Sequence, residues 1–96
     1  MVVNSSLDTR RVEILAIVKR HGGRNVRVFG SQARGEGAPD SDLDILIDLE
    51  SGRSLLDIVA IKQDLEDLLG CSVDVVTEAS VSPYMRQHVL SEAIAL

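Results

Sequence analysis

Apolar and polar residues alternate with period two in short stretches of this chain and recur every three to four residues in the longer stretches between them. The cleanest alternation runs from Leu43 to Leu49. Leu43, Ile45, Ile47 and Leu49 fall on one face, with Asp42, Asp44, Leu46 and Asp48 on the other, the signature of a half-buried strand. A strand from about Asn25 to Phe29 sets Val26 and Val28 against Asn25 and Arg27, and Gly30 ends it. A further strand, Ser72 to Thr77, carries Val73 and Val75 on one face and Asp74 with Val76 on the other.

Helical spacing fills the intervals. Ser6 or Asp8 can cap a first helix on which Val12, Leu15, Ala16 and the stem of Lys19 share a face, and Gly22-Gly23 supplies its stop. Ser54 reads as an N-cap with Asp57 three residues on. Leu55, Ile58, Ile61, Leu65 and Leu68 then repeat at helical spacing until Gly70. Ser82-Pro83 opens a last helix as N-cap and first residue, running to about Glu92. Ser31 to Gly35 suits a single helical turn and Glu36 to Ser41 an exposed loop. The order is α-β-(short α)-β-α-β-α, which predicts an α/β (α+β) fold: a small mixed sheet of three or four strands with helices packed on it.

Size and charge narrow the options. The 96 residues suit one domain, 1–96, burying about 60 to 65% of its unfolded surface, with no room for a second, substrate-reading domain. Aromatic residues make up 2% of the chain, so a base-stacking surface for nucleic acid is not expected. The net charge is −5 but unevenly spread. Arg10, Arg11, Lys19, Arg20, Arg24, Arg27 and Arg34 face only Asp8 and Glu13 in the first third, whereas acidic residues dominate beyond Arg34. A metal-bridged triphosphate would be at home where these zones meet. A single cysteine, Cys71, rules out an internal disulfide framework. No signal peptide or membrane span is expected, and the location read from these features is cytoplasmic.

The chemistry gathers around residues 30–44. Asp42 and Asp44, at i and i+2 on a strand, leave the same face with Cα atoms roughly 6.5 to 7 Å apart. Such a pair can share hard cations, and Mg²⁺ is the natural occupant. On its own, Asp-x-Asp is also compatible with an acidic, solvated strand face, since Asp48 and Glu50 continue the series. Gly30-Ser31, where a strand delivers the chain to a helical turn, can offer backbone N–H groups and a hydroxyl to phosphate oxygens. Asp74 could reach the same face as Asp42 and Asp44, giving the three carboxylates that a two-metal site about 3.5 to 4 Å across requires. His21 and His88 lie at or inside helix ends and suit packing or capping. The nucleotide-binding Gly-x-x-x-x-Gly-Lys-Ser/Thr and Gly-x-Gly-x-x-Gly motifs are absent.

Gly30-Ser31-Gln32-Ala33-Arg34-Gly35, followed by Ser41-Asp42-Leu43-Asp44-Ile45-Leu46-Ile47, closely resembles the motif of the minimal nucleotidyltransferase family, within the DNA polymerase β-like superfamily. The helix to Gly70, the Val73-Asp74-Val75-Val76 strand and the Ser82-Pro83-Tyr84 segment extend the resemblance to the subgroup that serves as antitoxin to HEPN-type ribonuclease toxins. The resemblance implies transfer of AMP from ATP to a hydroxyl, with release of pyrophosphate. It further implies that Asp42, Asp44 and Asp74 hold two Mg²⁺ ions, while Gly30, Ser31 and Arg34 hold the nucleotide phosphates. In antitoxin relatives the acceptor is a tyrosine of the partner toxin, which implies a hetero-oligomer with that toxin and no direct nucleic-acid or membrane partner. Two alternatives stay open: a non-catalytic antitoxin that covers its toxin, and a nucleotidyltransferase for a small molecule or an RNA end.

Overall fold

A computed structural model describes residues 5–30 and 42–96. The elements are α1 (Ser5–Arg20), β1 (Gly23–Phe29), β2 (Leu43–Leu49), α2 (Leu55–Leu69), β3 (Val73–Thr77), a 3-10 turn (Glu78–Ser80), α3 (Pro83–Glu92) and β4 (Ile94–Ala95). They form one four-stranded mixed sheet in the order β3-β2-β1-β4. β1 lies antiparallel to both β2 and β4, while β2 and β3 run parallel through the α2 crossover. The short helical turn expected at Ser31 to Gly35 and the loop to Ser41 lie outside the described residues.

The alternation of β2 decides the two faces. Leu43, Ile45 and Ile47 are fully buried with Val28 and Val73 beneath Ile14 and Val18 of α1 and Ile61 and Leu65 of α2. Each such side chain contributes about 1.5–3 kcal/mol when fully buried, so Ile45→Ala at the sheet centre would cost about 2–5 kcal/mol. The opposite face is only partly covered. Leu46 is fully buried there, beside a small gap that it lines with Val81, Val89 and Leu90.

The helix ends follow local rules. Ser54 and Asp57 form the expected capping box: the Ser54 hydroxyl accepts from Leu56 N–H, and the Asp57 carboxylate accepts from Ser54 N–H. Gly70 closes α2 in the left-handed conformation at φ 71° and donates to the Glu66 carbonyl. Ser82 caps α3, with Pro83 in its first turn.

Three details differ from the sequence expectation. Helix α1 already includes Ser6 and Asp8, so neither is its N-cap. Its inward stripe is Ile14 and Val18, whereas Val12 is 79% exposed and Ala16 and Lys19 face solvent. Both stripes satisfy a 3.6-residue period, and of the expected one Leu15 is partly buried against the core. The short strand β4 completes the sheet through Arg27↔Ala95 and Val28↔Ile94; two residues are too few for an alternation to show. Among the described residues, no helix is long and apolar enough to cross a membrane.

Candidate active site

Parallel pairing brings the acidic positions together. Asp44 of β2 is the register partner of Asp74 of β3, so the two carboxylates stand side by side on one sheet face. Asp42 lies two residues before Asp44, at the strand entrance, and is exposed. The three residues singled out from sequence therefore meet at one end of one face. The Asp44 carboxyl is held above the ordinary carboxylate range, first by burial and then by the negative charges of Asp74 and Asp42.

The turn after β1 closes on the same place. Phe29 pairs with Asp44, and Gly30 follows at φ 76°. A Cβ built on Gly30 would collide with the Asp44 carboxylate. Glycine is thus required twice over, by the left-handed backbone and by the close approach of the main chain to Asp44. Ser31 and Arg34, the other two positions assigned to phosphate binding, lie outside the described residues.

The donor set suits a hard divalent cation: three carboxylates, one of them carrying the electrostatic cost of its neighbours. Among the described residues no group of three or more acidic, His or Cys side chains already stands as an ion-holding cage. Mg²⁺ sites in general keep several waters and take one or two protein carboxylates together with substrate phosphate oxygens. Asp42 also borders an open hollow of about 430 Å³ with Glu66, Gly70, Cys71 and Ser72.

The neighbourhood contains a feature that sequence inspection missed. Lys62 Nζ donates to the Val73 carbonyl at 2.7 Å and to Glu66 Oε2 at 2.9 Å, while Glu66 Oε2 accepts from Val73 N–H at 3.0 Å. Glu66 is held below the ordinary carboxylate range, first by the Val73 N–H and then by Lys62. Lys62 is held above the ordinary lysine value, chiefly by Glu66, with Asp74 and Asp42 adding to it. A Lys and Glu four apart on a helix read as an ordinary surface pair; only the tertiary fold shows that they grip β3. His21 and His88 stand apart from the carboxylates, His21 bonded to Asp64 at 2.9 Å and His88 to Glu92 at 2.7 Å.

A short mixed sheet with register-matched carboxylates beside a glycine turn defines the class as a small nucleotidyl-transferring domain. The nucleotidyltransferase domain model matches residues 11–96, and the chain belongs to that family. It is 43% identical over 82 residues to the provisionally named protein adenylyltransferase MJ0435 of Methanocaldococcus jannaschii, covering 85% of this chain and 88% of that relative. It is equally 43% identical over 76 residues to the protein adenylyltransferase MntA of Thermococcus cleftensis, covering 79% and 77% of the two chains. A solved structure, provisionally described as a minimal nucleotidyltransferase, superposes with a TM-score of 0.87 at 49% identity, over 99% of this chain and 97% of that one. The fold also matches a toxin–antitoxin complex solved with AMP-PNP, at TM-score 0.75 and 22% identity, over 88% and 69% of the chains. The chain is thus an enzyme of the nucleotidyltransferase type.

Proposed function

We propose that this chain is a Mg²⁺-dependent protein adenylyltransferase that moves AMP from ATP to a hydroxyl, a tyrosine on a HEPN-type ribonuclease toxin, and so acts as its antitoxin in the cytoplasm. The observation that carries the reading is the register match of Asp44 with Asp74, with Asp42 at the strand entrance. Relatives named protein adenylyltransferases support the choice of AMP and of a protein acceptor. The toxin–antitoxin complex that shares the fold supports the choice of partner.

Asp42, Asp44 and Asp74 would hold the two metal ions. Bound divalent ions supply charge neutralisation at the α-phosphate and lower the pKa of the attacking hydroxyl. The chain's own contribution is positioning. The Gly30 turn holds the main chain against Asp44, and Ser31 and Arg34 are assigned to the β- and γ-phosphates. The acceptor oxygen bonds to the α-phosphorus, pyrophosphate leaves, and the hydroxyl proton is lost to solvent. No dedicated side-chain base is required when orientation and charge neutralisation do most of the work.

Purified chain incubated with ATP, Mg²⁺ and its toxin should add adenylate to the toxin, read by intact mass. Asp42→Asn/Asp44→Asn should lose the activity by at least about a thousandfold, the equivalent of several kcal/mol of charge stabilisation. Full modification by the double variant would refute the site. A second reading, neutralisation by covering the toxin, draws support from Leu55 and Leu56 at 75% and 79% exposure. It requires the double variant to protect against the toxin at equal stoichiometry without any mass increase.

A further inference from the structure

Strand β3 ends the sheet on one side, which leaves alternate peptide groups without a strand partner. The Ser72 carbonyl faces inward and accepts from Leu43 N–H at 2.9 Å. By alternation the N–H and C=O of Val73 point outward. Helix α2 meets both of them, Glu66 taking the N–H and Lys62 the carbonyl, and the two side chains bond to one another. The Val73 side chain is itself fully buried in the core, so this residue is fixed from both sides. The next residue is Asp74.

We propose that Lys62 and Glu66 are positioning residues for the third carboxylate: their joint grip on the Val73 peptide groups sets where Asp74 stands opposite Asp44. The inference rests on the reading of Asp42, Asp44 and Asp74 as a metal site. The mutual pairing matters as much as the grip. Lys62 lies within electrostatic reach of Asp74 and Asp42, and an ammonium freed from Glu66 would turn towards them and compete with a divalent cation. Glu66 keeps that charge engaged with the edge of the sheet.

The test uses the full chain with Mn²⁺ and a non-hydrolysable ATP analogue, bound Mn²⁺ being read by electron paramagnetic resonance. Glu66→Ala and Lys62→Met should each weaken Mn²⁺ binding about tenfold. Lys62→Arg, which can still bridge a carbonyl and a carboxylate, should recover to within about threefold of wild type. Arg53→Met breaks a comparable pair set, with Glu50 and Asp57, at the entrance to the same helix and should leave Mn²⁺ affinity unchanged. Glu66→Gln retains an acceptor for Val73 N–H and covers the case in which the alanine variant fails to fold; it should still weaken binding, though less than alanine, because a neutral amide holds the Lys62 ammonium less firmly than a carboxylate does. Faster hydrogen exchange at Val73 N–H in Glu66→Ala would report the lost grip without any metal. Wild-type affinity in both Glu66→Gln and Lys62→Met, together with lost binding in Asp74→Asn, would overturn the positioning role and leave the site intact. Unchanged binding in Asp74→Asn would instead overturn the metal-site reading itself, and the inference with it.

Discussion

Two acidic groups share the partly covered face of the sheet and are treated in opposite ways. At the C-terminal end of β2, Asp48 meets Arg27 at 3.1 Å, and the same guanidinium reaches Glu78 at 3.2 Å with only 13% of its side chain exposed. A bulge in β1 between Arg24 and Arg27, with Asn25 at φ 54°, belongs to this arrangement, and Arg27 Nε donates back to the Asn25 carbonyl at 3.0 Å. At the N-terminal end, Asp42, Asp44 and Asp74 make no ion pair among the described residues, and the nearby Lys62 is bonded to Glu66 and Val73 instead. One end is neutralised from within the fold. The other, on the proposed reading, receives a divalent cation.

The sharpest way to break this contrast is at the Gly30 turn beside Asp44. Gly30→Ala forces a Cβ into the Asp44 carboxylate and places a non-glycine residue in the left-handed region. Adenylate transfer should fall about a hundredfold, the scale set by misplacing a reacting group by about 1 Å. Stability should fall by only about 1–2 kcal/mol. A loss of activity no larger than the loss of folded fraction would remove Gly30 from the site.

The neutralised end should respond in stability rather than in chemistry. Arg27→Met strands two partly buried carboxylates and should cost about 1–2 kcal/mol, the buried-pair figure reduced for the exposure of Asp48 and Glu78. Thermal unfolding should shift down by about 5–10 °C, and Arg27→Met/Asp48→Asn should recover part of it. Transfer activity per folded molecule should stay near wild type.

The smallest effect has the opposite sign. Because the Asp44 carboxyl is held above its ordinary value in the fold, the folded chain binds that proton more tightly than the unfolded chain does. Ionisation of Asp44 therefore lowers stability as pH rises. Without metal, Asp44→Asn should be the more stable protein at neutral pH, and the gap should close on acidification as the wild-type carboxyl protonates. Glu66, held low by Val73 N–H and Lys62, works the other way: its contribution is present at neutral pH and lost in acid.

How far the sequence revealed this contrast depended on the range of the interaction involved. Period-two spacing put Asp42 and Asp44 on one face, and local capping chemistry marked Ser54, Asp57, Gly70 and Ser82 as helix ends. Convergence of Asp74 could only be expected, since its position opposite Asp44 depends on the parallel register across the α2 crossover. The Lys62–Glu66 grip on Val73 left no local trace, because its meaning lies in which peptide groups face the sheet edge. Leu46 was read as one position on an acidic face, and it is buried because tertiary packing reaches that face as well. Arg27 was read only as a polar position of its strand and part of the basic first third, and its two carboxylate partners lie 21 and 51 residues away.

The most direct test is calorimetric unfolding of the chain alone, with and without Mg²⁺ plus a non-hydrolysable ATP analogue, for wild type, Asp44→Asn and Asp74→Asn. At a hundredfold excess over the dissociation constant, wild type should gain about 2.7 kcal/mol of stability. Both variants should gain little and should match or exceed wild type before ligand is added. Equal gains in all three proteins would contradict the proposal that these carboxylates receive a divalent cation.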